Sequence, residues 1–347
     1  MDPGDDATEA VVPRDLHLFT TCPPSTDLVH AGSLATIRGV SAWSDDAGFD
    51  GILVYSDNRL LDPWFVSLEI VGSTSTLMPL VAVQPLYVHP FVAAKSVSSI
   101  AYLYGRRVCL NMVAGGFSND LLALDDETPH DERYERLVEY VLVMKELLSG
   151  LGPVTFQGRY YRVKNLKLTP PIPEHLRPEF FVSGSSPAGL EAARSLGATA
   201  VKYPGPSRHE SDVFEERMRC GIRVGIIARE QADEAWAVAQ ERFPVDRKGQ
   251  IAHAMAMKIS DSAWHRQLSD MGEASGGGPH PYWLTPFENY KTFCPYLVGS
   301  YATVAEELER YFRLGYSTMI LDVPTSREEL DHTRVPIDAA WSRVVSA

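Results

Sequence analysis

The residues best suited to chemistry form a short serine-rich loop after an apolar run. The segment Ser183–Ser186 contains Gly184 and is followed at once by Pro187, a residue type that favours the first turn of a helix. A glycine lets the backbone approach a ligand closely, and the free N–H groups and positive dipole end of a helix N-terminus attract anions. The pattern therefore predicts a phosphate site, with a serine N-cap that holds no ligand as the alternative.

Motifs for nucleophilic or metal catalysis are missing from the sequence. It contains no HExxH, no Walker loop, no GxSxG and no GxGxxG after an apolar run. The neighbouring pairs His130-Asp131 and His209-Glu210 are typical of surface charge, so we expect no metal site. An enzyme without such groups relies on a cofactor for its reactivity.

Composition and charge exclude several classes of protein. The chain has 347 residues, of which 45% are hydrophobic and 22% charged, enough to bury a large core. Its formal charge of −13 argues against nucleic-acid binding, which needs a basic surface. The acidic start argues against a secretory signal, and no apolar run approaches the roughly 20 residues of a membrane span. Four separated cysteines without a CxxC pair indicate reduced thiols, so we expect a cytoplasmic protein.

Eight short apolar runs alternate with helical patterns along the chain. The runs lack polar alternation, as do strands of a parallel sheet covered by helices. Such alternation leaves an open doubly wound α/β sheet or a closed (β/α)8 TIM barrel, and eight strands without a domain break favour the barrel. The predicted strands are Asp15–Thr21, Gly51–Ser56, Met78–Gln84, Val108–Val113, Glu179–Gly184, Thr199–Tyr203, Arg223–Ala228 and Ser317–Val323.

The predicted barrel forms a single domain over residues 14–347, after a tail at 1–13 that we expect to be disordered. Two insertion segments interrupt it. Gly152–Pro178 has the pattern of a β-hairpin with a proline-rich return. The segment near 245–295 is longer and polar and contains a glycine run, so we expect it to be mobile.

Several ordered motifs resemble those of the luciferase-like flavin monooxygenases, most closely their alkanesulfonate monooxygenase branch. A strand ending in glutamine and proline precedes the helix start Pro90–Ala94, Gly105–Gly116 reads GRRVCLNMVAGG, and residues 130–134 read HDERY. Phe180–Ser186 reads FFVSGSS and is similar to the family's phosphate loop. The resemblance extends from about Leu16 to Leu330.

This resemblance implies a TIM barrel that binds FMN at the carboxyl ends of its strands. It implies a two-component monooxygenase, in which a separate flavin reductase supplies reduced FMN and molecular oxygen (O2) oxidises a small-molecule substrate. The family usually forms homodimers or homotetramers. Matched by position, the residues that would line the flavin ring are Ser56, Asp57, Gln84, Asn111 and Ala114. Those that would hold the phosphate are Tyr134, Gly184, Ser185 and Ser186.

Departures from the alkanesulfonate branch concern the groups that would grip a sulfonate. Cys22 and Gly225 stand where that branch has histidines, and Leu60 stands where it has a cysteine, whereas Arg223 is retained. Near the C-terminus, Asp322–Thr325 replaces a Gly-Tyr-Pro-His segment. We therefore expect a neutral organic substrate, such as a biosynthetic intermediate, in place of an alkanesulfonate.

Three residues are candidates for catalysis: Arg223, Cys22 and His17. Arg223 suits a negative charge on the substrate or the flavin, or pairs with a carboxylate inside the barrel. His17, on the first predicted strand, faces the cavity or is a hydrogen-bonded core residue. For the whole chain, the alternatives are a deazaflavin (F420)-dependent oxidoreductase and a non-catalytic flavin-binding protein.

Overall fold

The fold is described from a computed structural model, and strands and helices are each numbered in chain order. The predicted tail at 1–13 and the glycine run at 276–279 lie outside the described residues, so both expectations stay predictions. The described stretches are residues 15–27, 32–116, 118–210, 218–258 and 280–346.

Eight parallel strands close into a barrel, which confirms the predicted (β/α)8 fold. Each strand is hydrogen-bonded to a parallel neighbour on both sides, and the last strand pairs with the first. Their carboxyl ends therefore meet at one edge, where barrel enzymes place their active sites. The barrel strands are β1 (His17–Thr21), β2 (Gly51–Val54), β3 (Met78–Val83), β4 (Cys109–Met112), β7 (Phe180–Ser183), β8 (Thr199–Lys202), β9 (Cys220–Arg229) and β12 (Tyr316–Leu321).

Helices connect the strands and cover the outside of the barrel. Capping fixes their ends: the Asp62 carboxylate accepts a hydrogen bond from the Trp64 N–H at 2.8 Å, and Gly105 adopts the left-handed conformation after another helix. Among the described helices, none has the length and apolar content needed to cross a membrane. The helices are α1 (Ser33–Asp46), α2 (Pro63–Ser73), α3 (Pro90–Tyr104), α4 (Ser118–Leu122), α5 (His130–Ser149), α6 (Pro187–Leu196), α7 (Ala232–Arg242), α8 (Arg247–Lys258), α9 (Thr285–Glu288), α10 (Tyr301–Arg313) and α11 (Arg327–Val345).

One apolar layer fills the barrel interior. The Phe19 and Phe181 rings meet edge to face with centroids 5.5 Å apart, an arrangement that aromatic rings favour. Gly51 leaves room for the Phe19 ring, which a Cβ at that position would overlap. The layer therefore forms an apolar floor under the polar carboxyl edge. Its members are Phe19, Leu53, Leu80, Cys109, Phe181, Val201 and Ile320.

Strands outside the barrel come from the two insertions. β5 (Val154–Gln157) and β6 (Arg162–Leu166) form the antiparallel hairpin that the sequence predicts. β9 is ten residues long, and its second half pairs with β11 (Tyr296–Ser300). β11 in turn pairs with the antiparallel strand β10 (Tyr282–Trp283). The second insertion therefore extends the sheet beside β9.

Aromatic residues of the second insertion anchor it to the barrel. The Tyr282 hydroxyl donates to the Pro204 carbonyl at 2.8 Å, and the Trp283 ring meets the Trp236 ring edge to face at 5.6 Å. Phe287 is only 1% exposed. These three aromatic residues are thus parts of the fixed fold. The mobility of the segment around them stays a prediction.

Candidate active site

A cavity of about 710 Å³ opens at the carboxyl ends of the barrel strands. Leu53, Val201 and Ile320 of the apolar floor line its base. This volume lies in the range of cavities that enclose a cofactor or a drug-sized molecule. All nine residues that the sequence assigned to a flavin line this cavity: Ser56, Asp57, Gln84, Asn111, Ala114, Tyr134, Gly184, Ser185 and Ser186.

The serine-rich loop lies between β7 and α6, as the sequence predicts. The Ser186 hydroxyl accepts a hydrogen bond from the Gly189 N–H at 3.2 Å and so caps α6. The neighbouring Ser185 Oγ is buried and has no hydrogen-bond partner. A buried hydroxyl is normally satisfied by protein, water or ligand. The loop therefore combines a helix N-terminus with a free hydroxyl, which suits an anion.

Tyr134 of α5 closes this loop from the other side. It is 8% exposed, and its hydroxyl hydrogen-bonds the Ser186 side chain. A Cβ at Gly184 would overlap the Tyr134 hydroxyl, so a glycine is needed there. Burial raises the pKa of Tyr134, an effect that the hydrogen bond from Ser186 only partly offsets, so the hydroxyl stays protonated as a donor.

Amide groups from β4 and the end of β3 form the adjoining wall. The Asn111 Oδ1 accepts a hydrogen bond from the Ser183 hydroxyl at 2.8 Å, which fixes the orientation of the amide and leaves Nδ2 as a donor. Asn111 and Gln84 are 5% and 7% exposed, respectively. The wall thus presents oriented polar groups above the apolar floor.

The loop after β2 contributes Ser56 and Asp57. The Asp57 carboxylate accepts a hydrogen bond from the Arg59 N–H at 2.7 Å and lies 3.5 Å from its guanidinium. Asp57 therefore shapes its own loop while it lines the cavity.

Arg223 brings a positive charge into the cavity from β9. It is 5% exposed, and its Nη1 donates to the Tyr203 hydroxyl at 2.9 Å. The guanidinium lies 4.7 Å from the centre of the Tyr55 ring and 5.5 Å from that of Tyr203. Its Nε and Nη2 are buried without a hydrogen-bond acceptor. The charge is thus held in place by aromatic faces and remains available to an anion.

Asp322 brings a negative charge into the same cavity, directly after β12. Its Oδ2 accepts hydrogen bonds from the Thr292 hydroxyl at 2.6 Å and the Tyr296 hydroxyl at 2.7 Å. Burial, reinforced by the Asp322 charge, raises the pKa of Tyr296 well above its ordinary value, so Tyr296 remains a donor.

Two of the three predicted catalytic residues do not line the cavity. His17 is the first residue of β1 and so lies at the amino end of the barrel, opposite the cavity. Cys22 is 3% exposed and packs in the core, where burial raises the pKa of its thiol to about 12. Both positions argue against the predicted roles, because neither residue lines the cavity. Arg223 alone of the three is placed for chemistry.

The sequence did not identify three residues that hold the charged side chains of the cavity: Tyr55, Thr292 and Tyr296. Tyr55 directly follows β2, so its position at the carboxyl edge was a usable signal. Thr292 and Tyr296 belong to the end of the second insertion, where no local pattern indicates contact with β12. In the described stretches no group of three His, Cys, Asp or Glu side chains forms a metal site.

A family model and a curated relative both identify the chain as similar to monooxygenases. The luciferase-like monooxygenase family model matches residues 15–318 of the chain. A curated relative from Niallia circulans is 37% identical over 299 residues, which cover 84% of this chain and 87% of the relative. That relative is the monooxygenase BtrO, named for a 4-(gamma-L-glutamylamino)butanoyl group on the BtrI acyl-carrier protein.

Solved structures share the fold at low sequence identity. A riboflavin lyase (RcaE), solved with modified FMN and riboflavin, has a TM-score of 0.75 at 15% identity, over 96% of this chain and 92% of that chain. An F420-dependent secondary alcohol dehydrogenase, solved with an F420-acetone adduct, has a TM-score of 0.64 at 17% identity, over 94% of this chain and 99% of that chain. The shared barrel is thus used with more than one flavin-type cofactor.

Proposed function

Because the chain belongs to the luciferase-like monooxygenase family, we propose that it is a two-component enzyme that uses reduced FMN and O2 to oxygenate a small organic substrate. Membership makes it a flavin-dependent oxidoreductase. The proposal adds the identity of the cofactor, the oxidant and a separate flavin reductase as partner.

The observation that carries the proposal is the free Ser185 hydroxyl at the N-terminus of α6. It is buried, it lacks a partner, and it lies beside the capping Ser186 and the protonated Tyr134. The Ser185 and Tyr134 hydroxyls and the N–H groups of a helix start supply the hydrogen bonds that a phosphate monoester accepts. The residues therefore fit the FMN phosphate.

The remaining wall fits the flavin ring. Asn111 and Gln84 supply oriented amides, Ala114 leaves space, and Ser56 and Asp57 line the loop after β2. Reduced FMN, when bound, supplies the electrons for the activation of O2. The protein holds the ring, and the apolar floor of Leu53, Val201 and Ile320 keeps water away from it.

Arg223 is the residue of this chain that we propose for catalysis. A buried guanidinium with unused Nε and Nη2 groups stabilises negative charge more strongly than an exposed one, because little water screens it. It binds an anionic group of the substrate or the flavin in the cavity.

A separate flavin reductase is part of the proposal because the chain resembles two-component members of its family, in which another protein supplies reduced FMN.

The proposed substrate is an acyl chain of a biosynthetic pathway, presented on a carrier protein as in the Niallia circulans relative. The absence of the sulfonate-binding side chains supports a substrate of this kind over an alkanesulfonate.

Self-association as a dimer or tetramer is a further part of the proposal. The end of α3 exposes three large apolar side chains, Tyr102, Leu103 and Tyr104, by 73%, 71% and 46%. A run of exposed large apolar side chains is typical of a protein interface. Light scattering of the purified protein measures the oligomeric state.

A deazaflavin-dependent oxidoreductase is the alternative that the shared fold leaves in place. The relative named as a monooxygenase, at 37% identity, favours the FMN reading.

The test is an anaerobic titration of the protein with reduced FMN and, separately, with reduced F420. We expect FMN to bind and F420 to bind poorly, and oxygen mixing to reoxidise the bound FMN at a rate different from that of free FMN. Ser185→Ala should weaken FMN binding about tenfold, as the loss of a charge-assisted hydrogen bond does. Tight binding of F420 with weak binding of FMN would overturn the proposal. Binding of FMN with no oxygen-dependent turnover would indicate the non-catalytic alternative.

A further inference from the structure

Two opposite charges lie in the cavity on neighbouring strands, and neither has an ion pair within the described stretches. Arg223 belongs to β9, and Asp322 follows the last residue of β12. Among the described residues, no oppositely charged side-chain atom lies within 4.0 Å of either group. Neither charge is therefore neutralised within the described stretches.

Arg223 presents a fork suited to a carboxylate. Its Nη1 is used by the Tyr203 hydroxyl, whereas Nε and Nη2 are buried and free of acceptors. Nε and one Nη are the two parallel donors that bind both oxygens of a carboxylate. A bound carboxylate would satisfy both and offset the cost of burying the charge.

Asp322 presents an oxygen suited to a cation. Its Oδ2 accepts both protein hydrogen bonds, from Thr292 and Tyr296, and Oδ1 has no partner in the described stretches. A protonated amine has three N–H donors and a full positive charge. Such a group would complete the hydrogen bonding of the carboxylate and neutralise it.

The strand register places the two groups within reach of one ligand. Arg223 lies beside Ile320 in the parallel pair of β9 and β12, and Asp322 is two residues beyond Ile320. Both side chains line the cavity, and one strand spacing plus two residues of extended chain put the Cα atoms of Arg223 and Asp322 about 8 Å apart. The carboxylate and amine of an α-amino acid share one carbon atom, so a single end group can span the space between the side chains.

Gly225 explains how the Asp322 carboxylate is held. It lies next to Tyr296 in the pair of β9 and β11, and the Tyr296 ring occupies the position that a Cβ at residue 225 would take. The ring thereby brings its hydroxyl to Asp322. The hydrogen bond to Asp322 thus depends on a glycine at position 225, because only a glycine leaves room for the Tyr296 ring.

The other cations of this region are already used. Arg242 donates to the Val323 carbonyl at 2.9 Å and packs over the Phe243 and Tyr296 rings. Lys291 pairs with Asp246 at 2.9 Å. Both line the cavity, and neither forms an ion pair with Asp322 within 4.0 Å.

We propose that Arg223 and Asp322 together bind a substrate end group that carries both a carboxylate and a protonated amine, as an α-amino acid does. The inference rests on the proposed function, since the substrate shares the cavity with FMN. Arg223 binds the carboxylate, and Asp322 binds the amine. The end group is neutral overall, in agreement with the neutral substrate expected from the sequence.

Three matched probes test this assignment by calorimetry on the protein saturated with oxidised FMN. The first is γ-L-glutamyl-n-propylamide, which has both charged groups. The second is its N-acetyl derivative, which lacks the charged amine. The third is N-propyl-4-aminobutanamide, which lacks the carboxylate. We expect the first probe to bind at least about tenfold more tightly than either of the others, as one charge-assisted hydrogen-bonded contact predicts.

Two variants separate the roles of the two side chains. Asp322→Asn should remove the advantage of the first probe over the N-acetyl derivative and keep its advantage over the decarboxylated probe. Arg223→Met should do the reverse. Asp338→Asn, which removes a surface carboxylate paired with Arg334 at 2.9 Å, is the control and should change neither ratio.

Equal binding of all three probes, or equal losses for all three in both variants, would overturn the inference. The FMN affinity of each variant is measured in the same samples by fluorescence. This measurement distinguishes a failure of the inference, in which FMN still binds, from a failure of the proposed function. If FMN fails to bind the wild-type protein, the proposed function fails, and probe binding measured without FMN then decides the inference on its own.

Discussion

The cavity has two sides, which acquire their polar groups differently. The first side is formed by β4, β7 and α5, and the second by β9, β11 and β12. On the first side, Ser183–Ser186 forms one continuous loop, and Tyr134 enters it from the start of a helix. On the second side, Asp322 depends on Thr292 and Tyr296, which come from an insertion. The first is a local motif, and the second is assembled by tertiary packing.

Under the proposed function, the first side is the cofactor site and the second is the substrate site. The first side contains the motifs that resemble the family, whereas Gly225 and Asp322–Thr325 on the second side depart from the alkanesulfonate branch. A change at Gly225 makes room for the Tyr296 ring, so one departure enables the other.

The largest effect should come from Arg223→Met, which tests whether the second side serves chemistry. We expect product formation to fall about 100-fold or more, because a preorganised charge is lost. The melting temperature should hold or rise, because an unpaired buried cation is replaced by an apolar chain. Rate assays and calorimetry measure the two quantities.

The control for that variant is Arg334→Met, which removes an ion pair with Asp338 far from the cavity and should leave the rate unchanged. If Arg223→Met unfolds the protein, or keeps full activity, Arg223 belongs to the scaffold.

Gly184→Ala should affect only the first side. The new Cβ would overlap the Tyr134 hydroxyl, and alanine disfavours the φ of +156° found there, so the phosphate loop must shift. We expect FMN affinity to fall at least about tenfold, the equivalent of one charge-assisted hydrogen bond. Fluorescence titration measures this, and Gly72→Ala, at a helical position with open space, is the control that should retain affinity. Unchanged FMN binding in Gly184→Ala would show that this loop does not bind the FMN phosphate.

Gly225→Ala should act on the second side through packing. A methyl group there meets the Tyr296 ring, and overpacking of this kind costs about 1–3 kcal/mol of the free energy of unfolding. Denaturant unfolding measures that loss. Tyr296→Phe keeps the ring and removes only its hydrogen bond to Asp322, so it should cost less stability while it still impairs amine recognition. Equal stability of wild type and Gly225→Ala would show that the ring is free to move.

The smallest effect on activity should come from Cys22→Ala. The residue lies outside the cavity, so the rate should stay within about threefold of wild type, and the lost volume should cost roughly 1 kcal/mol. A large loss of activity with intact folding would show that Cys22 takes part in catalysis.

The same thiol predicts a pH dependence of stability. Burial raises the pKa of Cys22 to about 12, whereas an unfolded cysteine ionises near about 8.5, so the unfolded chain loses its proton first. The contribution is fully present below about pH 8.5 and is lost as pH rises toward about 12. Unfolding of Cys22→Ala should show a shallower decline than wild type in this window, and an identical decline would contradict the buried thiol.

The sequence predicted the barrel because each strand and helix carries its own pattern, and the eight predicted strands match those observed. It also placed Asn111, Tyr134 and Ser185 in one cavity, because the motifs that contain them are local. It did not foresee that His17 and Cys22 lie outside the cavity, since a strand pattern does not reveal which residue reaches the carboxyl edge or which side chain faces the helices. It missed the roles of Thr292 and Tyr296, because contact between an insertion and β12 is set by packing over long sequence distance.

A crystal structure of the protein with FMN bound tests most directly the claim that the cavity has a flavin side and a substrate side. We predict the phosphate within hydrogen-bonding distance of the Ser185 and Tyr134 hydroxyls, the ring beside Asn111, and the Asp322 carboxylate left uncovered. A phosphate bound outside this loop, or a flavin ring that covers Asp322, would contradict it.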